Sequence, residues 1–265
     1  MVEKDLSPTE IAIQFFNDVA TWVVDLVLHA ADIRVRLEVV ERFIDIMIVS
    51  IDMGSYNAAQ AVFSGLRMHP LVRLTTTWNL ISDEYRRKLE RASALFSLEK
   101  NCQTYRDVFA DSQPPSICLL ALLCRDILYM KDGTSNYLPT KSRGKDEGMI
   151  NLQKWRRIFA SIDTYHSSKI QVSFPLESVD EELENKVHQI TGINKLISES
   201  SLSERSKAIE PARDKSYRTS MAIIDPDAQL AKAKTSSLEF APAVSTMELD
   251  NNSIFLPLLS LSLYI

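Results

Sequence analysis

The chain has 265 residues, 45% hydrophobic and 25% charged, with a formal net charge of −5. That is enough apolar material for one sizeable core without metal or disulfide staples. The acidic balance argues against nucleic acid as a partner, which selects a basic excess or stripe. Six glycines, with no G-x-G-x-x-G and no Walker-type run, argue against a nucleotide cradle in this chain.

Ser7-Pro8-Thr9-Glu10 has the form of a helix start: a capping serine, a proline in the first turn and a glutamate closing a capping box. Phe15, Phe16, Val19, Trp22, Val23 and Leu26 follow at helical spacing. The clearest helix comes after Asp32. Ile33, Leu37, Val40, Ile44, Met47 and Ile51 step by alternating fours and threes, so they share one face, and Phe43 and Ile48 widen it. Gly54-Ser55 breaks this helix, and Asn57 is the predicted cap of the next, which stops near Gly65.

His69-Pro70 reads as a turn. A short helix is predicted over 75–81 and a charged one over 83–98, with Tyr85, Leu89, Ala92 and Phe96 on its apolar side. A helical piece over 101–110 ends before Pro114-Pro115, and 117–130 reads as a strongly apolar helix. Residues 131–148 are a polar loop, 149–165 an amphipathic helix, and 178–190 a last helix with a capping box. No strand alternation is evident. From 193 onward Ser, Lys, Glu, Asp and Ala dominate with weak periodicity, which predicts a polar, low-order tail ending in an apolar stretch at 255–265. The expected organisation is therefore an all-α domain over 1–192, with packed orthogonal helices, followed by a tail over 193–265.

Cys102, Cys118 and Cys124 are odd in number and lack zinc-ligand spacing, so they read as reduced, buried thiols. His29, His69, His166 and His188 are scattered, and neither metal nor cofactor is expected. Lys154, Arg156 and Arg157 read as a solvated basic face, and the three tryptophans as packing residues. The polar start is no signal peptide. No run reaches the ~18–20 apolar residues of a membrane span.

Function enters through four stretches in a fixed order. RLEVVERFIDIMIVSIDMGSYNAAQAVFSGLRMHP begins at Arg36, VRLTTTWN at Val72, and NCQTYRDVFADSQPPSICLLALLCRDILYMKDGTSNYL at Asn101; Ile150-Asn151-Leu152 follows. Together they resemble the catalytic domain of Ras-type guanine nucleotide exchange factors, over roughly residues 15–190. The resemblance implies an all-α domain with a protruding helical hairpin that opens the nucleotide site of a Ras-, Rap- or Ral-like small GTPase. Leu128 matches the family's leucine that displaces the magnesium environment. Asp132 matches the acidic residue that imitates a phosphate. Met47, Gly54, Cys102 and Leu119 match a GTPase-facing apolar patch.

Gly54, Cys102 and Leu119 depart from the family's usual Asn and aromatic residues at those positions, and Asp132 is one methylene shorter than the usual Glu. The family's leading helices are expected to be absent upstream of residue 15. The resemblance thus implies a non-enzymatic exchange factor acting in the cytoplasm at the inner face of the plasma membrane. The alternative is a binding module that keeps the fold without exchange.

Overall fold

A reciprocal cap fixes where the chain enters its first helix, α1 (Pro8–His29). The Ser7 amide donates to Glu10 Oε2 at 2.7 Å and the Glu10 amide donates to Ser7 Oγ at 3.3 Å, which is the capping box the sequence predicts. The computed structural model describes residues 7–138, 149–168 and 193–211; the helix predicted over 178–190 lies outside them. The inner face of α1 is Val23, Val24, Val27 and Leu28, while Phe15 and Leu26 point outward.

By length and composition α1 also qualifies as a membrane span, with mean hydropathy 1.5 over 18 residues. A buried core helix meets the same criterion. In the fold its apolar content lies against α3 (Tyr56–Leu66). A Cβ on Gly65 would stand 2.6 Å from the Ala20 carbonyl oxygen, so a glycine is what lets these two helices approach.

Helix α2 (Ile33–Asp52) starts where Asp32 Oδ1 accepts from the amides of Arg34 (2.8 Å) and Val35 (3.3 Å). Its stripe of Val40, Ile44, Met47 and Ile51 is buried as the periodicity predicts. Gly54, at φ +75°, ends it. His69-Pro70 opens a one-turn helix, α4 (His69–Val72), instead of a bare turn; proline fits a first helical turn because no amide partner is needed there. Helices α5 (Thr75–Leu80) and α6 (Asp83–Leu95) follow, and Trp78 is buried with its Nε1 donating to the Leu71 carbonyl at 2.8 Å.

Helix α7 (Gln103–Asp111) leads to a long pair, α8 (Leu120–Asp132) and α9 (Leu152–Ser168). Between them Tyr137–Leu138 (β1) pairs antiparallel with Met149–Ile150 (β2). The sequence predicts no strand here. The four residues are all exposed, so no inside–outside alternation marks them.

The first residues of the stretch read as a tail are helical. Residues 193–211 include α10 (Ile193–Leu196) and α11 (Glu199–Ile209), which pack on α1 and α4. Leu202 is 1% exposed. Arg205 Nη2 meets Asp25 Oδ1 at 2.5 Å, and Arg73 Nη1 donates to the Ser206 carbonyl at 2.7 Å. The Glu210 carboxylate accepts from the amides of Thr76 and Thr77 at 3.0 and 3.1 Å, at the start of α5. Residues 212–265 lie outside the described residues.

Candidate functional site

The turn after α2 is joined to the approach to α8 by backbone alone. The Ile117 amide donates to the Gly54 carbonyl at 2.8 Å, and the Tyr56 amide donates to the Ile117 carbonyl at 3.1 Å. A side chain at Gly54 would press on Ser116 Cβ (3.1 Å) and the Pro115 carbonyl (3.2 Å), in addition to the strain of a positive φ. Two side chains then fix the start of α8. Asn57 Oδ1 accepts from the Leu120 amide at 3.3 Å, and Tyr105 Oη accepts from the Leu119 amide at 2.9 Å. Burial raises the Tyr105 phenol above its ordinary range, so it stays protonated. The sequence predicts that Asn57 caps its own helix, α3; instead it caps α8, and no side-chain bond caps α3.

Before α7, Lys100, Asn101 and Cys102 all adopt positive φ (48°, 62° and 60°). Such residues cost roughly 1–2 kcal/mol each unless the surroundings hold them. Two arginines do so. Arg106 Nε donates to the Asn101 carbonyl at 2.9 Å, and Arg125 on α8 donates to Asn101 Oδ1. Arg106 Nη2 also reaches Asp126 Oδ2 at 2.5 Å, tying α7 to α8. The sequence marks Tyr105-Arg106 only as part of a motif. Arg125 and Asp126 carry no local signal, and the local cap signal of Asn57 points to the wrong helix, since their partners are distant in the chain.

The predicted site residues fall into two groups. Leu128 and Asp132 lie four apart on α8, Leu128 half-buried and Asp132 exposed. Residues at this spacing share a helix face. The second group lies on and under the body. Met47 is 0% exposed and Cys102 7%, while Gly54 and Leu119 are half-buried. Met47 is therefore enclosed in the core, and its side chain forms no part of the outer surface. At 1.5 Å per residue, Leu119 and Asp132 are separated by about 20 Å along α8.

Among the described elements, α9 packs along α8 and touches no other element to a comparable extent. Tyr129 on α8 and Leu152, Trp155 and Phe159 on α9 are exposed, as is Met149 on β2.

A family profile for the RasGEF domain matches residues 2–156. The chain is 28% identical over 152 residues to "Ras guanine nucleotide exchange factor D" of Dictyostelium discoideum, covering 57% of this chain and 22% of that protein. It is 25% identical over 200 residues to human "Rap guanine nucleotide exchange factor 5", covering 75% of this chain and 33% of the relative. It is 33% identical over 138 residues to human "Ras-specific guanine nucleotide-releasing factor RalGPS2", covering 52% and 23%. The chain spans between about a fifth and a third of the length of these relatives.

Proposed function

This chain belongs to the RasGEF domain family, and on that basis we propose that it promotes GDP release from a Ras-, Rap- or Ral-like small GTPase by inserting the α8–α9 hairpin into the nucleotide and magnesium site. The observation that supports the reading is the spacing of Leu128 and an exposed Asp132 on one face of α8, along which α9 packs. A leucine desolvates the metal without replacing its ligands. A carboxylate suits donors that otherwise hold a phosphate. Asp132 ends α8, at the negative pole of the helix dipole. An exposed acid there gains when it meets a cationic site. No covalent bond changes. A protein that binds the nucleotide-free GTPase more tightly than the loaded form must, by linkage, weaken the nucleotide by the same factor. On this reading the protein works in the cytoplasm, drawn to the inner face of the plasma membrane by its partner.

The second reading, a GTPase-binding module without exchange, is favoured by the patch. Cys102 and Leu119 stand where the family usually has aromatic residues, and Met47 and Cys102 are enclosed. Loss of an aromatic anchor costs ~2 kcal/mol or more at an interface.

Release of a fluorescent GDP analogue from Ras-, Rap- and Ral-like GTPases separates the readings. We expect acceleration by the wild type with at least one of them, reduced about tenfold or more by Asp132→Ala. Binding of nucleotide-free GTPase with no acceleration by the wild type supports the second reading.

A further inference from the structure

The sequence reading counts Lys154 as part of a solvated basic face. In the structure Lys154 is 4% exposed. A lysine is rarely buried unless its charge is answered. Here three oxygens answer it: the carbonyl of Lys131, the carbonyl of Thr134 at 2.6 Å and Oδ1 of Asn136 at 2.7 Å. An ammonium has three N–H donors, and each has an acceptor. All three acceptors lie on the last residues of α8 and the turn that follows, on both sides of Asp132 and Gly133.

The neighbouring Asn151 grips the same turn. Its amide donates to the Asn136 carbonyl at 2.8 Å, its Nδ2 donates to the Ser135 carbonyl at 3.1 Å, and its Oδ1 accepts from the Lys154 amide at 3.2 Å. The first turn of α9 thus holds the end of α8 by side chains. The Lys131 carbonyl is one of the orphan acceptors of a helix C-terminus, and a cation there also offsets the dipole that opposes Asp132. Gly133 belongs to the same arrangement: a Cβ there would stand 2.7 Å from the Tyr129 carbonyl oxygen.

We infer that Lys154 is a positioning residue for exchange: its ammonium locks the turn over residues 131–136 and so sets the direction in which Asp132 leaves α8. The inference rests on the exchange reading above. A lysine suits the task because three acceptors converge on one point; the wide planar fork of arginine does not match that geometry. Replacing Lys154 with an apolar chain of similar length removes the one donor that ties these three oxygens together, and water must take its place on a turn whose residues are otherwise exposed.

The test uses the full chain with Lys154→Met, Lys154→Arg and the milder Asn136→Ala, which removes one acceptor and leaves the lysine. Two readouts are taken. One is deuterium uptake by the backbone over 129–138, compared with α1 to α3. The other is stimulated nucleotide release, resolved into its maximal rate and the exchange-factor concentration giving half of it. We expect Lys154→Met to speed uptake over 129–138 about tenfold or more while α1 to α3 stay protected. Its maximal rate should fall about tenfold or more with a half-saturating concentration changed less than about twofold, because the wedge is misplaced and the binding surface is not. Lys154→Arg should not restore the rate, and Asn136→Ala should give a smaller loss of the same pattern.

Unchanged uptake in both Lys154→Met and Asn136→Ala overturns the clamp. If Lys154→Met does not fold, Asn136→Ala alone decides it. Faster uptake with an unchanged maximal rate overturns the positioning role. A wild type that accelerates no GTPase is a failure of the exchange reading, and it removes the positioning role with it; uptake then decides the clamp alone.

Discussion

Cys124 lies half-buried on α8, and burial pushes its thiol up to about 11. An ordinary cysteine titrates near ~8.5 and reacts as thiolate. At pH 8 a thiol at about 11 holds on the order of a hundredfold less thiolate than an ordinary one. Alkylation of Cys124 by iodoacetamide at pH 8, followed by mass spectrometry, should therefore run about two orders of magnitude slower than that of a free cysteine peptide. The direction of the linked stability effect is also set. The folded state holds this proton more tightly than the unfolded state, so the contribution is intact below the unfolded value and is lost as pH rises toward about 11. Rapid labelling at pH 8 would show that α8 opens there to solvent.

At the scale of elements, the start of α8 is held from outside by Asn57, 63 residues away in the chain. Asn57→Ala should cost about 1 kcal/mol, the usual worth of a helix cap, seen as a lower urea midpoint with an unchanged slope. Asn57→Asp should retain most of that stability, since a carboxylate also accepts at a helix N-terminus and suits its dipole. Equal losses in both variants would show that the contact is not a cap.

Asn57 also shows which parts of this molecule a sequence reveals. Ser7 caps a helix that begins beside it, so its role is written locally and the structure reproduces it; Asp32 caps α2 in the same local way. The α2 stripe is legible for the same reason, because periodicity is a property of a single helix. Asn57 has the right chemistry for a cap, but its acceptor is used on a helix that only the fold brings near. Lys154 was illegible differently. Lys154 and Ile158 share one face of α9 at i, i+4, and both are buried there. The adjacent Arg156 and Arg157 made the lysine look like part of a solvated run. Of the candidate site, the motif order gave Leu128 and Asp132 their places on one helix. Local sequence could not show that Met47 is enclosed, because a core methionine and an interface methionine look alike in a string.

At the scale of the whole molecule, the segment from 193 to 211 tests what counts as the domain. Its composition reads as a tail, since α11 contributes one fully buried large apolar side chain, Leu202, to the core, with Ile209 packed against it partly buried. The remaining contacts are polar and specific: Arg205 to Asp25, Ser206 Oγ to the Pro70 carbonyl at 2.5 Å, and Glu210 to the start of α5. Arg36, buried beneath, donates from Nε to Thr77 Oγ1 at 3.0 Å and from Nη1 to the Ala30 carbonyl at 2.7 Å. Burial lowers the pKa of its guanidinium, with Glu210 and Asp32 pulling the other way. The segment thus closes a polar layer over α1, α4 and α5, which no hydrophobic pattern announces. If α11 is part of the cooperative unit, Leu202→Ala should lower global stability by about 2–5 kcal/mol, the range for emptying an enclosed leucine site. Urea unfolding followed by tryptophan fluorescence reports this through Trp78, which lies in the same core cluster. A loss under about 0.5 kcal/mol, typical of a surface position, would mean that α11 docks without joining the fold.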